Sequence, residues 1–474
     1  MPAAFAGGDS MAMIRTKILA AIVVWVSACG SMGQTLAGPP ADEARAVVLA
    51  LSEPLSELER QFFDDAADGQ LDHFDLLAAA MVAAGAESSD QIALYRRKLD
   101  DRAKELNRLL DAPADSLDRI EAVFHFLHER MLRGGYRLEA TDIRIALDRG
   151  QFNCVSATVL FNYLACRSGL HAVGLETTGH ALSRVYLQER SIDVETTCPS
   201  WFQLKSDPQK QREAVESALG AAGPRGGPFR EVSPIELAGM IYYNRGVDHL
   251  ATKQFREAAA ANAKALRLDP ASKTARGNLV ATLNNWAIIE GASQRYPEAV
   301  SLLKQGLAID PEFETLQQNY VHVHHQWSLS HCYRGDFAAA AALLQQASAE
   351  QPHLPQWRQM SCDIYRRWAR SKFDARDIDG AFARFDEART VLGALPELLT
   401  IEEEEIAAWG RELASARQTA AAVAVFQKGL ARLPSAVRLS RDLDYYVGRN
   451  RTIEVEPAPG EGLLGGISPV SLSP

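Results

Sequence analysis

Cysteine is scarce in this chain, with six in 474 residues, too few to read as a disulfide scaffold. A basic tract is missing as well. The 50 lysines and arginines stand against 60 acidic residues, for a formal net charge of −10. Without a run of positive charge to neutralise phosphates, nucleic acid is excluded as a partner. The apolar run from Ile18 to Val26 is too short to span a bilayer comfortably. Paired histidines such as His125 and His128 have no third ligand nearby in sequence, so they do not define a metal site, and no motif calls for a cofactor. What remains is an ordinary globular mixture, 47% hydrophobic and 23% charged, with room for two or three domains.

The N-terminus reads as a targeting segment. Arg15 and Lys17 precede the apolar run, which ends in small residues leading into Cys29. This is similar to the lipobox of bacterial lipoproteins, in which the chain is cut before the cysteine and the cysteine is acylated. The resemblance implies residues 1–29 as signal peptide, Cys29 as lipid anchor, and a body held at the bacterial cell envelope facing the periplasm or exterior. An ordinary secretory peptide and a short membrane anchor are the other readings. Residues 30–42 are small, polar and proline-bearing, and read as a tether. From there the chain is helical. Leu94 to Leu110 has apolar residues at helical spacing, and a second amphipathic helix follows Ser116, a possible N-cap.

The second half repeats itself. Ala258, Ala299, Ala340, Ala381 and Ala422 are each 41 residues apart. Seven residues beyond each comes Ala265, Gly306, Ala347, Ala388 or Gly429, and thirteen before four of them stands Trp286, Trp327, Trp368 or Trp409. Small side chains let two helices of a unit approach closely, and the large aromatic is expected to fill the gap between units. One such unit cannot bury its own apolar face, so units stack. "FREAAAANAKALRLDP", ending at Pro270, resembles the second helix of the tetratricopeptide repeat. The resemblance covers about 239–436 and implies a surface for a peptide or protein ligand. The period is 41 rather than the family's 34, so the helices should be lengthened, notably around 274–290. His322, His324, His325 and His331 read as lining of a polar groove. Residues 206–238 read as a linker, and 437–474 as a C-terminal segment whose tail is disordered.

Chemistry concentrates between 150 and 197. Asn153 can cap a helix that opens with Cys154, and in a first turn unpaired amides and the helix dipole favour an anion, hence the thiolate. Gly169 stops that helix, leaving Cys166 at the unfavourable end. Beyond it the pattern is a strand and then a hairpin turning near Gln188–Arg190, and His180 opens the middle strand of the three. A base on a strand edge can meet a nucleophile at a helix start, provided a third group orients its ring. Asp193 and Glu195 compete for that task. Counting back through a tight turn sets position 180 opposite about 197, which favours Glu195; a longer, irregular turn would favour Asp193.

Residues 116–202 resemble the core of the transglutaminase-like, papain-like cysteine superfamily, in which a cysteine at a helix start is followed by Gly-His opening a strand and a carboxylate on the next. Here these are Cys154, Gly179-His180 and Asp193-Val194-Glu195. The family's carboxylate is usually aspartate, so Glu195 is a departure. The expected architecture is α+β: a helical lead-in and small transglutaminase-like domain over 43–205, then an all-α repeat solenoid. The implied activity is that of a cysteine-dependent hydrolase or acyltransferase at a peptide or amide carbonyl, with Cys154 as nucleophile, His180 as base and Glu195 as orienter. The Cys154 amide and the Gln151 side chain are candidate oxyanion donors. The alternative is a lipid-anchored scaffold whose catalytic module is vestigial.

Overall fold

The computed structural model describes residues 41–454, apart from 111–115, 178, 205–206, 208, 212 and 214–228. The signal peptide, Cys29, the tether as far as residue 40 and the tail from 455 lie outside the described residues. The last two tether residues are helical, since α1 runs Ala41–Ser52. The chain is mainly helical with a small sheet region, and it divides into two compact units, one ending at Asn319 and the other beginning at Tyr320. Among the described residues no helix is long and apolar enough to cross a membrane.

In the first unit, α2 (Glu57–Asp65) opens on a capping box made by Ser56 and Glu59. The run "LLAAAMVA" has no polar residue to place outward, and as α3 (Leu76–Ala83) seven of its eight residues are buried. α4 (Ser89–Leu109) buries one stripe of Ile92, Leu99, Ala103 and Leu106. α5 (Leu117–Arg130) starts where expected, the Ser116 hydroxyl accepting from the Arg119 amide. Two short parallel strands, β1 (Gly135–Tyr136) and β2 (Gln151–Phe152), flank α6 (Ile143–Arg149).

β2 leads directly into α7 (Cys154–Arg167), of which the first twelve residues are buried. The helix packs on the antiparallel sheet of β3 (His171–Thr177), β4 (His180–Tyr186), β5 (Ser191–Val194) and β6 (Arg230–Val232), in the order β5-β4-β3-β6. β6 is a correction. It lies within 206–238, where a linker is expected, and it pairs with β3 through Gly174, Leu175 and Glu176. A three-residue strand after a glycine- and proline-rich stretch leaves no alternation long enough to see.

Among the described residues, five helix pairs and one last helix follow. In the first unit they are α8 (Pro234–Ala251) with α9 (Phe255–Leu268) and α10 (Lys273–Ala292) with α11 (Tyr296–Ile309). α12 (Glu314–Tyr333) and α13 (Phe337–Glu350) form the third pair, the unit boundary falling within α12. The second unit continues with α14 (Gln356–Asp374), α15 (Ile378–Leu392), α16 (Pro396–Ser415), α17 (Thr419–Arg432) and a last helix, α18 (Val437–Glu454), in the C-terminal segment. The first helix of each pair has 18 to 20 residues and the second 14 or 15, so the long period is spent on first helices.

The small-residue ladders are the close contacts of these pairs. Ala258, Ala299, Ala340, Ala381 and Ala422 are wholly buried. A Cβ placed on Gly410 would lie 2.2 Å from the Phe426 ring, so that crossing admits no side chain. The tryptophans of the ladder differ in burial. Only Trp409 is fully buried; Trp286, Trp327 and Trp368 are half-buried. Phe255 stacks on Trp286 with centroids 6.4 Å apart at 10°, and Phe337 stacks on Trp368 with the same values. The rings thus join the second helix of one pair to the first helix of the next.

Every turn inside a pair uses one left-handed residue, at 253, 294, 335, 376 and 417, again 41 apart. The following amide bonds back to the sixth-last carbonyl, as in Gln254 to His249 and Gln418 to Leu413. This is the Schellman ending. Only Gly335 is glycine; the others are Lys253, Gln294, Arg376 and Arg417.

Of the four histidines expected to line a polar groove, His322 is exposed and His325 and His331 are half-buried. His324 is buried, its Nδ1 2.8 Å from the Tyr320 carbonyl and its ring against Trp357, while His331 stacks on Trp327. Among the described residues no three His, Cys, Asp or Glu converge on a metal position.

Candidate active site

Cys154 is the first residue of α7 and 8% exposed. Its position is fixed by Asn153, which does more than cap. The Asn153 Oδ1 accepts from the amides of Val155 and Ser156, both at 3.0 Å, and its own amide donates to the Ser156 hydroxyl. Its Nδ2 donates to the Leu138 carbonyl and to Thr141 Oγ1, and Ser156 Oγ donates to the Ala140 carbonyl at 2.7 Å. The start of the helix is therefore tied to the loop before α6 as well as to itself.

His180 opens β4 opposite Thr177, and Gly179 before it holds a left-handed turn. The ring is buried. Its Nε2 lies 2.7 Å from Glu195 Oε2, and the other oxygen of Glu195 accepts from the Thr197 amide at 2.9 Å and from the Thr197 hydroxyl. Both partners are at most 3% exposed through their side chains. His180 Nδ1 is buried without a hydrogen-bond partner, and Cys154 is among the groups that act on the ring. Burial is the largest influence on the imidazole and opposes protonation. The Glu195 charge, hydrogen bonds to Cys154 and Glu195, and the charge at Cys154 together outweigh it and raise the pKa to about 10. The ring is thus protonated across the neutral range.

The register decides between the carboxylates. Ser183 pairs with Val194 and Arg184 with Asp193, so position 180 is level with 197. Glu195, one residue past the end of β5 rather than on it, turns inward to His180. Asp193 lies four positions short of that level and is held in a two-pronged pair with Arg184 at 2.7 and 3.0 Å, one-third exposed. Gln151 lies in β2, half-buried, and makes no side-chain hydrogen bond among the described residues.

Two further residues border the site. His128, in the last turn of α5, is forced neutral by burial, which lowers its pKa to about 4, and it hydrogen bonds to the backbone of Thr196, next to Glu195. Tyr243, on α8, is buried with its hydroxyl 3.4 Å from Glu176, a residue of β3 opposite Ala181. Burial and the charges of Glu176 and Cys154 hold its pKa well above the usual phenol value. Glu176 is paired with Arg230 at 2.5 Å, and Arg230 also bonds Glu236 at 2.8 Å and Asp269. The first helix pair is therefore knitted to the sheet behind the cysteine. The sequence offered His128 only as one of a histidine pair and did not mark Tyr243, since the two come from helices 26 and 89 positions from Cys154 and no local motif ties them to it.

All five described cysteines are free thiols. Cys166 is exposed, Cys198 sits 3.4 Å from the Ser200 hydroxyl, and burial pushes the Cys332 thiol up to about 11 and the Cys362 thiol upward too. Cys154 is the one among them beside a carboxylate-held histidine.

No protein-family model matches the chain, and no curated protein does. Among solved structures, one titled "Functional Characterization of Pseudomonas Aeruginosa pilF" aligns with 46% of this chain and 100% of its own, at 16% identity and a TM-score of 0.17. A superposition that loose carries no argument, and the helical repeats rest on the chain's own 41-residue period and helix pairs.

Proposed function

We propose that the chain is a transglutaminase-like, cysteine-dependent hydrolase or acyltransferase acting on a peptide or amide carbonyl. The single observation behind this reading is the buried set of Cys154, His180 and Glu195, with the 2.7 Å bond from His180 to Glu195. Cys154 sulfur attacks the carbonyl carbon, and a C–S bond forms as the carbonyl oxygen takes negative charge. Asn153 takes the amides of Val155 and Ser156 but not that of Cys154, which is left to meet the oxyanion, with Gln151 as second donor. His180 then gives its proton to the leaving nitrogen as the C–N bond breaks. Water, or an amine, gives a proton back to His180 and attacks the thioester, and the thiolate leaves. The helical repeats hold a peptide or protein, either substrate or partner. Cys29 carries a lipid that keeps the body at a membrane surface in the cell envelope.

The test is acyl trapping. The full chain is incubated with activated acyl esters and with peptide amides, and the acyl mass on each cysteine is read by mass spectrometry. An adduct on Cys154, absent in Cys154→Ala and long-lived in His180→Ala, is expected. Equal ester loss with Cys154→Ala, and no adduct on Cys154, contradicts the reading. The 8% exposure of Cys154 favours a second reading, a binding protein whose catalytic module is silent; it predicts that second outcome.

A further inference from the structure

The chain is acidic overall, and against that background the first unit gathers four arginines around one space. Arg102 of α4, Arg130 at the end of α5, Arg133 just beyond it and Arg149 at the end of α6 line a polar cavity of about 430 Å³. They come from three separated stretches, so no basic tract marks them in the sequence.

The backbone segments beneath them are closely packed. The Gly134 amide donates to the Gly150 carbonyl at 2.8 Å, and Gly150 is left-handed at φ +68°. A Cβ on Gly134 would stand 2.3 Å from the Arg149 carbonyl oxygen. Only glycine lets these two strands of chain approach so closely, and the approach sets Arg133 and Arg149 side by side.

The acids nearby are already matched. Asp148, also on the wall, takes Lys98 at 2.7 Å and the Tyr95 hydroxyl. Glu105 takes Arg102 at 3.0 Å and lies 3.9 Å from Arg130. Among the described residues no carboxylate is within ion-pair distance of Arg133 or Arg149, and both are exposed. Two of the four occupy last turns of helices, where a cation offsets the partial charge of free carbonyls. That accounts for Arg130 and Arg149 singly, not for their convergence with Arg102 and Arg133.

We propose that this cavity is a binding site for a phosphate-bearing anion. One carboxylate is satisfied by a single forked guanidinium. Several guanidiniums around one polar space suit a group with three or more acceptor oxygens and about two charges, which is a phosphoryl group. Its source is either a lipid headgroup or a free phosphate compound. The site is separate from the cysteine chemistry and stands or falls without it.

The probe is inorganic pyrophosphate, titrated into the full chain by calorimetry at constant ionic strength, with Arg133→Gln/Arg149→Gln as the test variant and Arg358→Gln as control. Saturable binding that weakens about tenfold or more in the double variant, and is unchanged in the control, is expected. Sedimentation with phosphatidylcholine vesicles, with and without phosphatidic acid, separates the sources. Acid-dependent sedimentation that pyrophosphate competes away and the double variant loses assigns a headgroup. Pyrophosphate binding without it assigns a free phosphate compound. Absence of saturable binding, or equal binding by wild type and double variant of unchanged melting temperature, overturns the proposal.

Discussion

Glu195 and Asp193 are two residues apart and chemically alike, yet the hairpin gives them opposite tasks. Glu195 is buried on His180, and Asp193 is spent on Arg184 near solvent. The proposed chemistry therefore predicts that Glu195→Gln lowers turnover by about 10²–10⁴-fold, whereas Asp193→Asn stays within about threefold of wild type. Equal losses from both would contradict the geometry. The choice was legible in the sequence because a tight hairpin fixes register by counting. That His128 and Tyr243 border the site was not, since contacts made by distant helices have no local signature. His180 also sets a stability trend. Its folded pKa of about 10 lies above the unfolded value of 6.5, so the protonated ring stabilises the fold fully below pH 6.5 and that contribution is lost as pH rises toward 10. Melting temperature should fall over that window in wild type and fall less in His180→Gln. Parallel curves would show that the ring gains no proton affinity on folding.

The helix pair is an element whose outline the sequence showed and whose turn it hid. The alanine and glycine ladders are chemically uniform because helix crossings demand small side chains, so period and pairing could be read directly. The left-handed turn residues are Lys, Gln, Gly, Arg and Arg, with nothing in common but φ. Four of them adopt a backbone that costs an L-residue about 1–2 kcal/mol, partly offset by the extra chain entropy that glycine would lose. Arg376→Gly and Arg417→Gly should each stabilise the second unit by roughly 0.5–1 kcal/mol, and Gly335→Ala should destabilise it by about 1 kcal/mol. Denaturant midpoints measure all three; destabilisation by both glycines would show that their long side chains contribute more than the turn costs.

At the scale of the molecule, the sheet and the first helix pair are joined within the first unit. β6 completes the sheet, α8 packs on α3 and α7, and Arg230 joins the sheet's Glu176 to Asp269 at the end of the first pair. The strand was illegible because three residues cannot show a period. Arg230→Met leaves Glu176 and Asp269 buried without their cation and should cost roughly 2–4 kcal/mol, less than a fully buried pair because the guanidinium is 35% exposed. An unchanged denaturant midpoint would mean that the sheet and first pair hold together without it. The proposed chemistry turns on Cys154 being an assembled nucleophile. Its alkylation rate against pH in the full chain reports that state, each cysteine read separately by mass spectrometry, with and without His180→Ala. Loss of His180 should shift the Cys154 profile and lower its rate at neutral pH, while Cys166 is unaffected. A Cys154 that follows an ordinary thiol pKa of about 8.5 in both chains, or reacts in neither until unfolded, would contradict an assembled nucleophile.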